Sequence, residues 1–315
     1  MCSFFSFTNH QANSGGKPTL WVIASRYNGF ALTRLTYDFC SRLLFGVFRR
    51  QLLGRNMLAS TLMPVCLTAS IWKEYLSSNA TIMVNVAIAG SSGLAQFIAN
   101  YLSTKTCHQF IILSRFPNPG LVSRGWQVLE VDYYNNSKLR YMLTGVDVVI
   151  STISGPAEAS LITAAAQVNV RRFIPSEFEG PPSKRTISKL PDRGNCQSLS
   201  LLQQYEMEYT IFTCGVFYER LAPGGMAAFQ LGKGTYIDKE GEYLINIPSM
   251  ETEVPHLSDG QDSMICMTSA QDVARAVVAA LDLPRWPREF RMFGDRMSLT
   301  GLVGTVESVF GGSFR

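Results

Sequence analysis

A turn that contains two glycines joins an apolar run at residues 83–89 to a second apolar segment of this 315-residue chain. Gly90 permits a tight turn directly after a buried strand, and Gly93 lets the backbone approach a ligand closely. A diphosphate lying there meets the free N–H groups and the positive end of the following helix. The turn therefore predicts a loop that binds the diphosphate of a dinucleotide. The predicted residues are Gly90, Ser91, Ser92, Gly93, Leu94, Ala95 and Gln96.

Gln96 departs from the pattern G-x-x-G-x-x-G, in which the third glycine lets the helix pack closely on the strand. We therefore expect Gln96 either to push the helix outward or to narrow the diphosphate site. The alternative for the whole turn is a glycine-containing connection between strand and helix that binds no ligand.

The residue after the second predicted strand, Arg115, indicates which dinucleotide would bind. A carboxylate at this position would hold the ribose 2′-hydroxyl and repel a 2′-phosphate, whereas a guanidinium pairs with the phosphate through two hydrogen bonds. Arg115 follows Gly90 by 25 residues, which is near the usual spacing of about 20. The sequence therefore predicts NADP(H) as the cofactor. The alternative is a solvated surface arginine.

Residues after other predicted strands complete the expected site, because ligands of parallel α/β sheets lie beyond the carboxyl ends of the strands. Asp132 and Tyr133 are expected beside the adenine. Thr152, Ile153 and Ser154 are expected to face the nicotinamide ribose.

Strands and helices alternate regularly from Ile82 onward, which predicts an α/β fold with a doubly wound parallel sheet of the Rossmann type. We assign this domain to residues 82–232 and a small substrate region to residues 233–315. A sixth strand is expected at 209–214. The other predicted strands are 83–89, 109–114, 127–131, 146–152 and 172–175, and the predicted helices are 94–102, 137–143, 157–169, 196–205 and 270–281.

Residues 1–81 show no stable hydrophobic period and are predicted to be a poorly structured extension outside that fold. Two interpretations of this basic segment remain. It resembles a mitochondrial targeting segment in composition, or it is an upstream extension with Met83 as the natural start, which we favour. The longest apolar stretch, residues 57–72, is shorter than the roughly 18 residues that a bilayer span requires, so no membrane anchor is expected.

The positive charge of the chain lies in its first part. Eight basic and two acidic residues precede Ile82, giving 8 − 2 = +6, whereas the remainder has 20 basic and 22 acidic residues, giving −2. A nearly neutral body offers no field for a phosphate backbone, so direct nucleic-acid binding is not expected. The seven cysteines include no C-x-x-C pair and the three histidines are scattered. We therefore predict free thiols, a cytoplasmic location and no metal site.

Five stretches of the chain, in this order, resemble the NmrA-like and isoflavone-reductase-like group of atypical short-chain dehydrogenases, particularly its fungal members. They are 84–96, 112–115, 145–154, 171–178 with the specific run P-S-E-F, and 272–275. The resemblance covers roughly residues 82–315 and places Ser176, Glu177 and Phe178 at the cofactor. It implies NADPH-dependent reduction of a small aromatic or other secondary metabolite. It also allows a non-catalytic dinucleotide sensor that regulates a partner protein.

Two departures from this group bear on catalysis. In the reductases, a lysine on the helix between P-S-E-F and the sixth strand serves in proton transfer, whereas residues 192–198 here contain none. Lys189 is the nearest candidate, and we expect it to be solvated in a loop. The chain also ends at Arg315, where members of the group continue, so part of the substrate region is expected to be absent.

Aromatic residues after the sixth strand are candidates for a substrate pocket. Phe217 and Tyr218 would line it, or would pack in the core instead. Two Tyr-x-x-x-Lys pairs imitate the catalytic pair of short-chain dehydrogenases, but both lie far from the expected nicotinamide and are interpreted as coincidences. They are Tyr101 with Lys105 and Tyr134 with Lys138.

Overall fold

The computed structural model describes residues 5–9, 19–24, 83–91, 93–178, 196–222, 224–232, 244–255 and 259–315. The chain divides into one compact unit of residues 1–25 with 83–315 and a second of residues 26–82. The second unit lies outside the described residues. So do Ser92, Lys189 and the apolar stretch 57–72.

Six parallel strands form the sheet that positions the predicted site. Their order is β5-β4-β3-β6-β7-β8, with β3 and β6 at the point where the order reverses. This is the order of a doubly wound dinucleotide-binding sheet, so the predicted fold class is confirmed. The strands are β3 (Asn85–Ala89), β4 (Gln109–Ser114), β5 (Val128–Glu130), β6 (Val148–Ser151), β7 (Arg172–Ile174) and β8 (Glu208–Tyr209).

Helices cover both faces of this sheet. Successive residues of a strand point to opposite faces, so apolar residues in sequence give the sheet two apolar faces to bury. In β3, Val86 and Ile88 belong to one hydrophobic cluster and Ala87 and Ala89 to another. The first cluster includes α1 (Leu94–Lys105) and α7 (Ala270–Ala280), and the second includes α3 (Asn136–Leu143) and α4 (Pro156–Gln167). The remaining helices are α2 (Pro119–Val122), α5 (Cys196–Gln204), α6 (Gly225–Ala228) and α8 (Leu299–Phe310).

The expected sixth strand, residues 209–214, is divided between two sheets, which corrects that prediction. Glu208–Tyr209 pairs with β7, whereas β9 (Ile211–Thr213) pairs with β14 (Glu289–Phe293). The change occurs at Thr210, whose amide donates to the Phe173 carbonyl while the next amide donates to Arg288. The chain therefore leaves the six-stranded sheet after the two residues of β8, and the continuous apolar run conceals this step.

Two strands before Ile82 belong to the second sheet, which corrects the expectation that nothing there joins the fold. β1 (Phe5–Asn9) pairs antiparallel with β2 (Thr19–Ala24), and β2 pairs parallel with β14. The sheet order is β1-β2-β14-β9. The segment of β2, T-L-W-V-I-A, is rich in residues that favour strands. Two short strands give too little periodicity to be recognised without their partner.

The rest of the C-terminal region forms small sheets around a third hydrophobic cluster. β13 (Met264–Thr268) lies between β10 (Val216–Phe217) and β15 (Asp295–Ser298), and a 3-10 helix spans Tyr218–Leu221. β11 (Ile245–Asn246) pairs with β12 (Glu251–Thr252). Among the described residues, no helix has the length and apolar character needed to cross a bilayer.

Candidate dinucleotide site

Gly90 lies in a narrow space between two strand ends. Its φ is +109°, and a Cβ at this position would lie 2.2 Å from Oγ1 of Thr152. That hydroxyl donates to the Ala89 carbonyl at 2.8 Å, and the Gly90 amide donates to the Leu113 carbonyl at 2.9 Å. Both the backbone conformation and the available space therefore require glycine here.

The loop ends at the first turn of α1. Gly93 has φ +48° and no side chain of the described residues caps the helix. Amide groups of a first helical turn have no partner within the helix and favour an anion. A Cβ at Gly93 would lie 2.4 Å from the Gln230 carbonyl oxygen. On the side where a side chain would stand, the group that approaches Gly93 closely is therefore the backbone of Gln230.

A cavity of about 420 Å³ lies beside Gly93 along one side of α1. Arg124 lies at its edge, with its guanidinium 5.3 Å from the ring centre of Trp126. Arg124 lies in a turn without a motif, so nothing in the sequence marks it as a site residue. The lining residues are Gly93, Gln96, Phe97, Asn100, Arg124, Ala228, Phe229 and Gln230.

Gln96 stabilises the loop and does not displace the helix. Its Nε2 donates to the Ser91 carbonyl at 3.1 Å. The neighbouring Leu94 and Ala95 are buried in the same cluster as Val86 of β3. Gln96 thus lies along the loop while α1 packs on the sheet, which speaks against the outward shift. The other expectation, a narrower diphosphate site, stays a prediction.

Serine hydroxyls bring the end of β4 next to this loop. Oγ of Ser114 lies 3.0 Å from Oγ of Ser91 and donates to the Phe116 carbonyl at 2.7 Å. Arg115 follows directly and is exposed, with its guanidinium 5.9 Å from the ring centre of Phe116. An accessible cation thus stands at the strand end adjoining the phosphate loop, where the sequence predicts the 2′-phosphate.

Tyr133 lies beneath the loop, so its side chain is not available to read an adenine. The residue is 2% exposed and its hydroxyl donates to the Leu113 carbonyl at 2.9 Å. Burial raises the pKa of Tyr133 strongly, while the Gly90 amide and the positive charge of Arg115 act in the opposite direction. Asp132 is exposed and accepts a hydrogen bond from the Tyr134 amide at 2.9 Å, so it remains the candidate on this side.

Residues after β6 and β7 form the other half of the site. Thr152 and Ile153 are half-buried and Ser154 is exposed. Ser176 is half-buried, whereas Glu177 and Phe178 are buried. The Phe178 ring stacks on Phe212 with ring centroids 6.3 Å apart. The Cys214 thiol donates a hydrogen bond to the backbone carbonyl of Phe178. Phe178 thus packs inward, Glu177 is buried, and Ser176 is the most accessible of the three.

Glu158, which the sequence analysis missed, is almost fully buried in the first turn of α4. Its Oε1 accepts from the Ser176 amide and its Oε2 from the Ser198 hydroxyl, both at 2.7 Å. Burial raises the pKa of this carboxyl, and its hydrogen bonds lower it to a smaller extent. Only the apolar surroundings of residue 158 in the helix hinted at burial.

The two predicted substrate residues have different environments. Phe217 is 4% exposed and packs in the first hydrophobic cluster, so it is a core residue. Tyr218 is half-buried and its hydroxyl donates to Asp295. Of the pair, the geometry leaves Tyr218 as the candidate for a substrate contact.

Tyr101 is held by the stretch 272–275. Nε of Arg275 donates to its hydroxyl at 2.6 Å, and Nη1 of Arg275 lies 2.7 Å from Oδ1 of Asp272. Asp272 is in turn bonded to the N-cap residue of α7, Ser269. This stretch therefore fixes α7 against α1, and the Tyr101–Lys105 spacing reflects packing.

Replacing Tyr101 with phenylalanine is expected to lower the free energy of unfolding by about 1 kcal/mol, because one hydrogen bond is lost. NADPH affinity should not change. Urea denaturation and titration with NADPH measure the two quantities. Tyr134→Phe is the matched control, since Tyr134 is 71% exposed. A loss of NADPH affinity in Tyr101→Phe would contradict the packing role.

The chain is similar to known proteins both in sequence and in fold. No protein-family profile matches the chain. The oxidoreductase BOA1 of Botryotinia fuckeliana is 29% identical over 245 residues, which are 73% of this chain and 77% of the relative. Several solved structures share the fold, and two of them are described next.

The first is AtPrR2 with NADP+ and (+)pinoresinol, with a TM-score of 0.57, 18% identity and coverage of 74% of this chain and 78% of that one. The second belongs to a set of crystal structures of pinoresinol-lariciresinol and phenylcoumaran benzylic ether reductases, which were compared with isoflavone reductases. It has a TM-score of 0.55 and 16% identity, and covers 74% of this chain and 78% of that one. The resemblance seen in the motifs is confirmed: the chain shares the fold of the isoflavone-reductase-like and NmrA-like reductases and is similar in sequence to a fungal oxidoreductase.

Proposed function

We propose that this chain is an NADPH-dependent oxidoreductase that reduces a small aromatic or other secondary metabolite. The observation that carries the proposal is the contact between the loop and the end of β4. Ser91 and Ser114 lie 3.0 Å apart, so the predicted diphosphate loop adjoins the strand end that Arg115 directly follows. A 2′-phosphorylated dinucleotide carries two anionic groups, for which the loop and this exposed arginine are the candidate partners. Relatives named as oxidoreductases support the reaction class.

The residues present fit this cofactor. Gly90 makes the tight turn at the strand end, the first turn of α1 offers amide groups, and Arg115 offers a cation for the 2′-phosphate. When bound, NADPH supplies a hydride to an electrophilic substrate such as an enone. The chain orients the two reactants, with Thr152, Ser154 and Ser176 at the nicotinamide half. Lys189, the lysine nearest to the position at which the resembling reductases carry their proton-transfer lysine, stays a candidate outside the described residues.

Arg115→Glu tests the cofactor assignment. Charge-assisted hydrogen bonds contribute about 1.5–3 kcal/mol, so NADPH affinity should fall roughly 10- to 100-fold. NADH affinity should stay the same or rise, because a carboxylate accepts from the ribose hydroxyl. Isothermal titration with both cofactors measures this difference. Arg140→Glu, an exposed arginine of α3, makes the same charge change outside the site. Equal affinity of the unmodified protein for NADPH and NADH would overturn the role of Arg115.

A second candidate function is a non-catalytic dinucleotide sensor that acts on a partner protein. It is favoured by the composition of α5, whose nine residues, C-Q-S-L-S-L-L-Q-Q, include no lysine. NADPH oxidation measured against a panel of aromatic enones separates the two. Oxidation of any of them supports the enzyme, whereas tight NADPH binding without oxidation supports the sensor.

A further inference from the structure

Glu158 connects three separate segments at the nicotinamide half of the site. Its two carboxyl oxygens accept from the Ser176 amide and from the Ser198 hydroxyl, each at 2.7 Å. Ser176 follows β7 and Ser198 lies in the first turn of α5, whereas Glu158 itself lies in the first turn of α4. The carboxyl group therefore fixes the turn after β7 and the starts of two helices relative to one another.

The burial of this group is costly for the fold. Glu158 is 1% exposed, and a carboxyl without water must be compensated by hydrogen bonds. An apolar side chain of similar size would fill the space without that cost. An apolar side chain could not accept the hydrogen bond from the Ser176 amide, which belongs to the turn after β7. The polar group is therefore explained by the orientation of this turn and not by packing.

We propose that Glu158 is a positioning residue that holds the Ser176 turn in the geometry that receives the nicotinamide half of NADPH. This inference rests on the proposed function. Because its carboxyl is enclosed, Glu158 does not touch the cofactor and acts through Ser176. The adenosine half is held by Gly90, Gly93 and Arg115 on the other side of the sheet reversal, so it should not depend on Glu158.

Two ligands separate a local role from a structural one. NADPH contains both halves of the dinucleotide, whereas adenosine 2′,5′-bisphosphate lacks the nicotinamide. In Glu158→Ala the dissociation constant of NADPH should rise about tenfold, as for loss of a hydrogen bond to a charged group. That of the bisphosphate should change less than about twofold, because its contacts are independent of the turn. Isothermal titration measures both constants.

Conservative and control variants sharpen the test. Glu158→Gln keeps an oxygen for the Ser176 amide and should restore most of the NADPH affinity. Ser160→Ala alters a half-buried serine of the same helix and should leave both constants unchanged. Should Glu158→Ala not fold, Ser198→Ala, which removes one of the two bonds to the carboxyl, should still weaken NADPH a few-fold more than the bisphosphate.

Three results would overturn the inference. Equal weakening of both ligands by Glu158→Ala would show a general structural effect. Unchanged NADPH affinity in Glu158→Ala, or in Ser198→Ala where that variant is the one that folds, would show that the turn does not depend on the carboxyl. In both cases the proposed function stands. Failure of the unmodified protein to bind either ligand would overturn the proposed function together with this inference.

Discussion

Arg172→Leu is expected to lower the free energy of unfolding by about 3–5 kcal/mol, the usual effect of breaking a buried ion pair on one side. Arg172 is 4% exposed. Its Nε donates to Oε2 of Glu208 at 2.9 Å, and its other nitrogens donate to the carbonyls of Leu283 at 2.9 Å and Pro284 at 2.7 Å. Leucine would leave a partly buried carboxylate and two carbonyls without these donors.

The adjacent arginine provides the control for that experiment. The Arg171 side chain is 65% exposed and its Nε lies 3.9 Å from the same Glu208 oxygen. Exposed pairs contribute little, so Arg171→Leu should cost less than about 0.5–1 kcal/mol. Urea denaturation followed by circular dichroism compares the two variants. Similar losses in both would show that the buried position of Arg172 does not determine its contribution.

Gly90→Ala is expected to abolish measurable NADPH binding, with a loss of at least about 100-fold, because the loop must move. The added Cβ would lie 2.2 Å from Oγ1 of Thr152, at a backbone φ of +109°. Displacement of Thr152 would also break its bond to the Ala89 carbonyl. Both the diphosphate side and the nicotinamide side of the crevice would be altered by one methyl group.

Gly145 separates backbone strain from steric conflict. Its φ is +81°, but no atom of the described residues lies within 4 Å of a Cβ built there. Gly145→Ala should therefore cost about 1 kcal/mol of stability without changing NADPH affinity. Thr152→Ala added to Gly90→Ala removes the conflicting hydroxyl and should recover part of the binding. Isothermal titration provides all these values. Normal NADPH binding by Gly90→Ala would exclude this loop as the diphosphate site.

The parallel sheet was predictable because its strands are buried on both faces and read as continuous apolar runs. The bounds of β4, residues 109–114, agree with the prediction. The pairing of β2 with β14 was not predictable, since it joins segments at opposite ends of the chain. A local pattern carries no information about such a partner.

In the site, too, features set by local sequence were predictable and features set by distant contacts were not. Spacing located Gly90 and Arg115, because the tight turn and the strand end are local features. It did not reveal that Tyr133 and Phe217 turn inward, since a residue after a strand can face either the ligand or the core. Glu158 was missed for a related reason. Its burial depends on serines that follow it by 18 and 40 residues.

The position of α7 has a consequence for synthesis of the protein. Val273, Ala274 and Val277 share a cluster with Ile98 and Leu102 of α1, far earlier in the chain. The apolar surface of α1 that α7 covers therefore stays open to water until the ribosome has passed residue 280. Chaperones that shield apolar surface would act in this interval. A gene fragment ending at residue 232 would lack α7 and would leave this surface of α1 uncovered.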